Sequence, residues 1–365
     1  MGYKRRRYRE IYNALRKLYP CEPTGNLARH LNTLAYLISG MVGARHVNLR
    51  RVAGQVPDST KKESRIKRFA RWLDNERIEA DVYFVPFIED LLSSVSQGPL
   101  VLAIDGSDVG RGCVTLMVSV IYQRRALPLG WVVVKGKKGH FPEETHVRLV
   151  ELVRTLVPME KKVIFLGDGE FDGITLQTTV DGFGWHYVSR TAKNIRLCEA
   201  GEWFSFEEIG VWPGQCIGVP DVLFTEQAYG PVLAVAWWKR GWKEPIYLVT
   251  NLELAEEACI WYQKRFRIET FFSDQKSRGF HLHKSHLSDP ERLARLMIAA
   301  CLAYIWIIYL GVVAKRDNWI AIIHRTDRCD LSLFQLGLDL LDHFLDECRP
   351  IPVAFQMPLR VKSVR

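Results

Sequence analysis

The sequence predicts an α/β fold with a mixed central sheet, and three features support that prediction. Residues 1–95 are rich in basic side chains and have mostly helical apolar spacing. From residue 99 the chain changes to short β-rich runs separated by helical segments. Residues 190–245 are rich in Gly, Pro and Trp and alternate as short strands do. The 365 residues are enough for a sizeable core and more than one domain.

The N-terminal segment is predicted to be helical and to bind a polyanion. Helical spacing is present in LARHLNTLAYLISGMV and KKESRIKRFARWLDN, and NLRRVAGQV is short and basic. Residues 1–80 contain 18 Lys and Arg against 7 Asp and Glu, a net charge of +11, whereas the whole chain carries +9. A basic N-terminal segment on an otherwise nearly neutral chain favours nucleic acid as the binding partner. The alternative is a basic surface that is only solvated. Short basic helices are compatible with a helix-turn-helix-like DNA reader.

The elements that follow are predicted in a definite order. PLVLAID, VTLMVSVIY and LPLGWVVVK read as three antiparallel strands with short connections. A helix in PEETHVRLVELVRTLV, a buried strand in KKVIFLGD, a short helix and a strand in GWHYVS come next. After the β-rich stretch, PIYLVTN predicts a strand, and a helix is predicted in YQKRFRIETFFSDQKSRGF.

Two aspartates stand where apolar strands are predicted to end. Asp105 in AIDGSD and Asp168 in LGDGEFDG each have a glycine beside them. An acid at a strand end is held rigidly at the rim of the sheet, and a small neighbour allows close approach of a ligand. A single instance is more often a turn or a helix cap.

The predicted helix after PIYLVTN contains a row of polar residues. Tyr262, Arg265, Glu269 and Lys276, here called the signature row, are spaced so that they return to one face of an α-helix. Its carboxylate and the two aspartates would repel one another unless cations compensate them. Oxygen ligands suit Mg²⁺ or Mn²⁺, and two such ions support phosphoryl transfer. The two cationic members of the row would then hold substrate phosphates.

Together these residues resemble the DDE transposases of the bacterial insertion-sequence type, in the group with a Tyr-(2)-Arg-(3)-Glu-(6)-Lys signature. The signature row keeps every spacing, and Asp105 and Asp168 match the two family aspartates at the ends of the first and fourth strands. The resemblance covers roughly residues 95–315. It implies a ribonuclease-H-like mixed-sheet core with an inserted β-rich subdomain, preceded by a helical DNA-binding region.

The resemblance also implies a division of the chain. The parts are a basic DNA-binding region at 1–95, the first part of the catalytic core at 96–190, the inserted β-rich subdomain at 191–245, the second part of the core with the Glu helix at 246–315, and a C-terminal region of unknown role, compatible with helix, at 316–365.

The implied function is that of a cut-and-paste transposase. It would bind the terminal inverted repeats of an insertion sequence and cleave the ends by metal-dependent phosphoryl transfer. In relatives, metal-activated water first nicks the DNA, and the freed 3′-hydroxyl forms a hairpin that is reopened before joining to target DNA. The partners would be double-stranded DNA and, in the DNA complex, a second copy of the chain. The expected location is the bacterial cytoplasm, with association to the nucleoid through DNA.

The resemblance assigns roles to particular residues. Asp105, Asp168 and Glu269 would be catalytic and would hold the metal, expected as two Mg²⁺ or Mn²⁺ ions. DNA contacts are expected from the other members of the signature row and from residues near or within the β-rich stretch, namely Tyr262, Arg265, Lys276, Arg190, Lys193 and Trp242.

The sequence departs from the family at two positions. Gly169 follows the second aspartate, where many members have Arg. Relatives have a Trp that stacks on a flipped base, and the nearest matching position in this chain is Ile246. Trp242, Trp237 or Trp238 would then stack on the base instead. The alternative is that these tryptophans only fill the core of the β-rich part. Nearby acids that could be mistaken for ligands are Asp108, Glu170 and Asp172.

Three other functions compete with this prediction. One is a ribonuclease-H-like nuclease that cuts without joining, and another is a non-catalytic DNA-binding derivative of a transposase. The third is a membrane protein, because residues 296–314 are uncharged and long enough to span a bilayer. A buried core helix explains that segment equally well, and the soluble composition favours it, so no membrane association is expected.

The cysteines and the N-terminus bear on location. The eight cysteines form no CxxC pair and no Cys/His cluster with zinc spacing, so reduced thiols in a cytoplasmic protein are expected. The charged start MGYKRRRYRE has no apolar run behind it, so no secretion signal is expected.

Overall fold

The computed structural model describes residues 2–95, 97–137, 139, 141–325 and 329–358. Its helices are α1 (Tyr3–Leu18), α2 (Gly25–Ala44), α3 (Leu49–Ala53), α4 (Lys62–Asp74), α5 (Ala80–Tyr83), α6 (Val85–Ile88), α7 (Leu91–Val95), α8 (Glu143–Arg154), α9 (Ile174–Gly182), α10 (Ala255–Tyr262), α11 (Arg267–Gln275), α12 (Pro290–Arg316), α13 (Ile320–Ile323) and α14 (Leu333–Asp346). Its strands are β1 (Leu100–Gly110), β2 (Cys113–Tyr122), β3 (Arg125–Lys135), β4 (Val163–Gly167), β5 (His186–Thr191), β6 (Arg196–Glu199), β7 (Glu202–Ser205), β8 (Cys216–Phe224), β9 (Tyr229–Trp237) and β10 (Ile246–Thr250). Short 3-10 helices cover Phe206–Ile209 and Leu282–Lys284.

Across the described residues the strands form one ten-stranded sheet in the order β3-β2-β1-β4-β5-β10-β9-β8-β6-β7. Strands β1, β2 and β3 pair antiparallel, whereas β4 pairs parallel with both β1 and β5. Helices α8 and α9 precede and follow β4, as the sequence predicts. The order 3-2-1-4-5 with these helices is the ribonuclease-H-like core, so the predicted fold class is confirmed.

Strand β1 is longer than its sequence suggests. It was predicted to end at Asp105 but continues to Gly110, because its second half still pairs with β2, with Ser107 opposite Thr115. The parallel pairing with β4 does stop early, at Ala103. Asp105 therefore lies within a strand, at the point where the neighbour on one side has ended.

The β-rich stretch extends the core sheet. Strand β9 pairs antiparallel with β10 along its length, and β8 and β6 continue outward from it. Strand β10 in turn pairs antiparallel with β5. The strands between residues 191 and 245 are thus hydrogen-bonded to the core through β10, and they belong to the same continuous sheet.

Helix α12 is the central element of the core. The Asp289 side chain caps it by accepting a hydrogen bond from the Arg292 amide at 2.8 Å, and Pro290 starts the first turn. Among the described residues it is the one helix long and apolar enough to cross a membrane, yet 94% of its apolar window is buried in the protein. Trp306 and Tyr304 are completely buried. This burial agrees with the prediction of a core helix.

The N-terminal helices pack on the C-terminal part of the chain. Arg6 donates to the carbonyl oxygen of Leu345 at 3.0 Å, and Arg45 pairs with Asp342 at 2.6 Å. Apolar residues of α2, α12 and α14 belong to one continuous hydrophobic cluster. The proposed division at residue 95 stays a prediction, as do the other boundaries, and residues 326–328 and 359–365 of the C-terminal region lie outside the described residues.

Candidate active site

The three predicted catalytic carboxylates, here called the carboxylate cluster, all face one guanidinium group. Arg265 Nη1 lies 3.7 Å from Asp105 Oδ2 and 3.8 Å from Asp168 Oδ2. Arg265 Nη2 donates a hydrogen bond to Glu269 Oε1 at 3.2 Å. The side chain of Arg265 is only 7% exposed. Three elements that are distant in sequence, namely β1, the end of β4 and α11, therefore meet at one buried cation.

Asp105 is the rigid member of the carboxylate cluster. Its side chain is 3% exposed, and its Oδ1 accepts a hydrogen bond from the amide of Gly106 at 2.7 Å. Because Asp105 lies in the middle of β1, pairing with β2 fixes its backbone. Rotation of this carboxylate away from the site would break its hydrogen bond with the Gly106 amide.

Asp168 follows β4 directly and is held by the turn after it. Its Oδ1 accepts from the amide of Glu170 at 3.1 Å, and its carbonyl oxygen accepts from the amide of Phe171 at 2.9 Å. At Gly169, an added Cβ would meet only the Arg190 carbonyl oxygen at 4.0 Å. There is therefore room for a side chain at residue 169, the position where many family members have Arg.

Glu269 is the exposed member of the carboxylate cluster. It lies in the first turn of α11, where the helix dipole favours a negative charge, and its side chain is 56% exposed. The cluster therefore has one buried side, formed by β1, and one open side, formed by the start of α11.

The signature row does not lie on one continuous helix, so that part of the sequence interpretation is wrong. Helix α10 ends at Tyr262 and α11 begins at Arg267, and residues 263–266 form a tight turn. The amide of Arg265 donates to the carbonyl of Tyr262 at 2.9 Å, and the amide of Arg267 to that of Lys264 at 3.0 Å. These i to i−3 bonds interrupt the α-helical ladder. The turn places Arg265 between the strand ends and Glu269.

The last member of the signature row reaches the site from beyond α11. Lys276 follows the last residue of the helix, and its Nζ donates to Ser107 Oγ at 2.6 Å. Ser107 is two residues after Asp105 in β1, so both side chains lie on the same face of the strand. Sequence analysis missed Ser107, although its i+2 position relative to Asp105 is a signal that could have identified it.

Tyr262 is buried beside the guanidinium. It is 1% exposed, and its ring centroid lies 5.9 Å from Arg265 Cζ. Burial raises the pKa of its phenol, whereas the positive charges of Arg265 and Arg190 act in the opposite direction. The Phe266 ring, 4.4 Å from the same Cζ, covers the guanidinium on another side. The predicted contact of Tyr262 with DNA stays a prediction, since in this conformation the phenol packs in the core.

The other predicted DNA contacts lie around the β-rich part. Arg190 is exposed on β5. Lys193 is exposed just after that strand and pairs with Glu207 at 2.9 Å. Trp242 is half-buried against Trp237, with ring centroids 4.7 Å apart. Lys193 and Trp242 thus make their contacts away from the carboxylate cluster, and their roles remain predictions.

Two of the alternative acids have different surroundings from the carboxylate cluster. Asp108 is exposed, and it lies on the opposite face of β1 from Asp105 because side chains alternate along a strand. Asp172 accepts a hydrogen bond from the Thr191 hydroxyl at 2.6 Å, and burial raises the pKa of its carboxyl group. Neither contacts Arg265, in contrast to the members of the cluster.

The donor atoms of the carboxylate cluster fit a hard divalent cation, but their present spacing does not. Carboxylate oxygens are the ligands that Mg²⁺ and Mn²⁺ prefer. Within the described part of the chain, no three His, Cys, Asp or Glu side chains are close enough together to hold a metal ion directly. In this conformation the Arg265 guanidinium contacts all three carboxylates.

A family model and a solved structure are similar to this chain. The family model described as "Transposase DDE domain" matches residues 96–306. A solved structure described as "Cryo-EM structure of piggyBac transposase synaptic complex with hairpin DNA" is 13% identical in sequence, with a TM-score of 0.48, and the match covers 95% of this chain and 79% of that one. No curated protein sequence matches the chain. The family match confirms the predicted resemblance at the level of the transposase domain, while the insertion-sequence type and the signature group stay predictions. Because the matched residues make up more than half of its length, the chain belongs to the transposase DDE domain family.

Proposed function

We propose that this transposase is a cut-and-paste enzyme that cleaves the ends of an insertion sequence by metal-dependent phosphoryl transfer and joins them to target DNA. The observation that carries the proposal is the convergence of Asp105, Asp168 and Glu269 on the guanidinium of Arg265. Carboxylates from three separate elements are brought together where β4 ends beside β1 in a ribonuclease-H-like sheet. A purely structural role would not require three anions around one buried cation.

The carboxylate cluster would hold the divalent ions. Bound there, Mg²⁺ or Mn²⁺ would supply the Lewis acid that activates the attacking group and stabilises the leaving oxygen in phosphoryl transfer. In the described conformation Arg265 compensates the charge of the three carboxylates, which are spaced too widely to share a metal ion. Arg265 must then leave the carboxylates when they take up a metal.

The two cations of the site have different tasks in this proposal. Once released, the planar guanidinium of Arg265 is suited to bind two oxygens of one DNA phosphate. Lys276, held beside Asp105 through Ser107, is a compact charge for a second phosphate. Both residues position the scissile DNA strand against the carboxylates, and neither needs to exchange a proton.

The N-terminal helices supply a surface for DNA. A cleft between α2 and α4, here called the α2–α4 cleft, has a volume of about 510 Å³ and includes Asn26, Arg29, Asn32, Arg71 and Asn75 in its lining. Arginine and asparagine are the side chains that read guanine and adenine edges in the major groove. The net charge of +11 on residues 1–80 supplies the long-range attraction to phosphate. We therefore place recognition of the element ends in this region and expect a dimer on DNA.

The experiment is a cleavage and joining assay with DNA that carries the inverted repeats flanking the coding region. Wild-type protein with Mg²⁺ should cut at the repeat ends and join pre-cut 3′ ends to a target plasmid. Glu269→Gln should abolish both reactions while DNA binding persists, because the amide keeps the size of the side chain but loses the charge that holds a metal. Glu256→Gln, at an exposed position in the first turn of α10, is the matched control and should remain active.

The outcomes of this assay distinguish the competing functions. Cutting without joining of the pre-cut ends would identify a nuclease. Binding without cutting by the wild-type protein would identify a non-catalytic derivative. Full activity of the Glu269→Gln variant would remove the carboxylate cluster from the mechanism.

A further inference from the structure

Two cysteine side chains meet where β8 packs against α10. The Sγ atom of Cys216, the first residue of β8, lies 3.2 Å from the Sγ atom of Cys259 in α10. Both are free thiols. The helix and the strand approach closely here, since a Cβ added at Gly218 would lie 2.9 Å from the Cβ of Ala255. The two thiols are therefore held face to face by packing of the surrounding backbone.

We propose that Cys216 and Cys259 form a redox modification site that a hydroperoxide converts to an intramolecular disulfide. The bond would link the β-rich part of the sheet to the helix that leads into the active-site turn. The proposal goes beyond the transposase function and does not depend on it. In a reducing cytoplasm such a bond would form only transiently, as redox-sensing disulfides do.

The reaction balances with hydrogen peroxide as the oxidant. The Cys216 thiolate attacks one peroxide oxygen, the O–O bond breaks, and protonation of the leaving oxygen gives water and a sulfenic acid. The sulfur of Cys259 then attacks the sulfenic sulfur, the S–O bond breaks, and a second water leaves as the S–S bond forms. Overall, two thiols and one peroxide give one disulfide and two waters. The two sulfurs need to approach by only about 1.2 Å to reach a normal disulfide length.

The surroundings assign the first step to Cys216. It is partly exposed, whereas Cys259 is 5% exposed in the core. The hydrogen bond with Cys259 lowers the pKa of the Cys216 thiol, because a donated S–H stabilises the thiolate. The same contact, together with burial, raises the pKa of Cys259. An exposed attacking thiol beside a buried resolving thiol is the arrangement that favours a disulfide over further oxidation.

The position of the bond gives it a consequence for the active site. Cys259 lies in the last turn of α10, three residues before Tyr262, which precedes the turn that contains Arg265. A covalent link to β8 would prevent this end of α10 from moving away from the sheet. Oxidation should therefore slow the opening motions of α10 and stabilise the folded chain, since the bond closes a long loop in the unfolded state.

The test uses the full chain with the three exposed cysteines of the described region replaced, as Cys21→Ser, Cys329→Ser and Cys348→Ser. Hydrogen peroxide at a small molar excess should remove two titratable thiols. Peptide mass spectrometry without reduction should show a Cys216–Cys259 cross-link that dithiothreitol reverses. The thermal midpoint should rise by about 5 °C on oxidation, and amide hydrogen exchange in residues 255–262 should slow several-fold.

Control variants keep the result interpretable. Cys216→Ala and Cys259→Ala, each added to the same background, should lose the cross-link and the thermal shift, whereas Cys198→Ala, a buried cysteine in β6, should keep both. The proposal is overturned if the folded parent protein keeps Cys216 and Cys259 as thiols under peroxide, or if they oxidise separately to sulfinic acids. A cross-link that leaves the midpoint and the hydrogen exchange unchanged would overturn the stabilising role.

Discussion

Arg265 Nη2 lies 3.2 Å from Glu269 Oε1, although the two residues stand on opposite sides of the boundary between a turn and a helix. The other terminal nitrogen of the same guanidinium faces both aspartates of the carboxylate cluster. Like charges brought together in a poorly solvated site repel strongly, so the cluster needs a cation at all times. In the proposed mechanism Arg265 supplies this cation when no metal is bound, so the metal and the arginine would compete for the same carboxylate oxygens.

This competition predicts the behaviour of Arg265→Ala. Without metal the variant should be less stable than wild type by about 3 kcal/mol, because the buried Asp105 carboxylate loses the compensating charge of Arg265. Millimolar Mn²⁺ should stabilise the variant more than the wild type, since the ion no longer has to displace an arginine. Thermal unfolding of both proteins with and without Mn²⁺ measures this difference.

Arg267→Ala is the matched control for that measurement, because Arg267 is the neighbouring cation at the start of α11. It should respond to Mn²⁺ as the wild type does. If Mn²⁺ stabilises the wild type and Arg265→Ala equally, the guanidinium and the metal do not compete for the same carboxylate oxygens.

Sequence reasoning succeeds here where short-range patterns decide the structure. The order of strands and helices in the core follows from the alternation of apolar runs, and Asp105 and Asp168 could be placed because a polar residue ends each apolar stretch. The break between α10 and α11 could not be predicted in this way. Residues 263–266 contain no Gly or Pro, and the 3.6-residue spacing of the signature row continues through the turn.

Tertiary pairing explains the remaining differences. The second half of β1 contains two glycines, two polar residues and one valine, a composition typical of a turn, but the antiparallel partner β2 extends it as strand. The role of Arg265 could not be predicted either, because two of its three carboxylate partners are 97 and 160 residues away in the chain. A spacing rule identifies the residue but cannot show which charge it compensates.

Stability should depend strongly on the crossing of α12 and α14. A Cβ added at Gly311 would overlap the carbonyl oxygen of Leu333, so the helices would have to separate to accommodate it. Gly311→Ala should therefore destabilise the protein by about 1–3 kcal/mol, as overpacked cores do. Urea unfolding followed by circular dichroism gives this value. Gly182→Ala in α9 is the control, because nothing lies within 4 Å of its added Cβ, and it should not destabilise the protein.

The buried pair of Arg125 and Asp274 predicts a dependence of stability on pH. Arg125 Nη1 lies 3.1 Å from Asp274 Oδ2, but burial dominates and raises the pKa of Asp274 from 3.8 to about 6. The folded state then holds this proton more tightly than the unfolded state does. The contribution of Asp274 to stability is therefore fully present below pH 3.8 and is lost as the pH rises through 6.

Asp274→Asn removes this titration and tests it. The free energy of unfolding of the wild type minus that of the variant should fall by up to about 3 kcal/mol between pH 4 and pH 7.5. Urea unfolding across this range provides the measurement, and Asp81→Asn at an exposed position controls for the loss of one charge. A difference that is constant with pH, or that rises with pH, would contradict the assignment.

The α2–α4 cleft predicts a salt-dependent defect for Arg71→Ala. Arg71 is exposed at the cleft and forms no ion pair with any described residue, so its charge is available to DNA. Its loss should weaken binding to the element ends up to about tenfold, and a phosphate contact would also lower the slope of log affinity against log salt by about 1. Fluorescence anisotropy at several salt concentrations measures both quantities. Lys162→Ala removes an exposed charge outside the cleft and should change neither.

Lys276 should separate the first cut from the later steps. Its Nζ is held at Ser107 Oγ, two residues from Asp105, so it lies beside the carboxylate cluster without belonging to it. Lys276→Ala should retain metal-dependent nicking while hairpin formation or joining weakens at least tenfold, because a phosphate contact is lost and the carboxylates remain. Ser107→Ala should show a smaller defect of the same kind, since it removes one hydrogen bond of Lys276 and keeps its charge. Lys284→Ala, at an exposed position after α11, should behave like the wild type. Gel analysis of nicked, hairpin and joined products under one set of conditions resolves these steps, and an equal loss of all three products in Lys276→Ala would place the lysine in the chemistry common to every step.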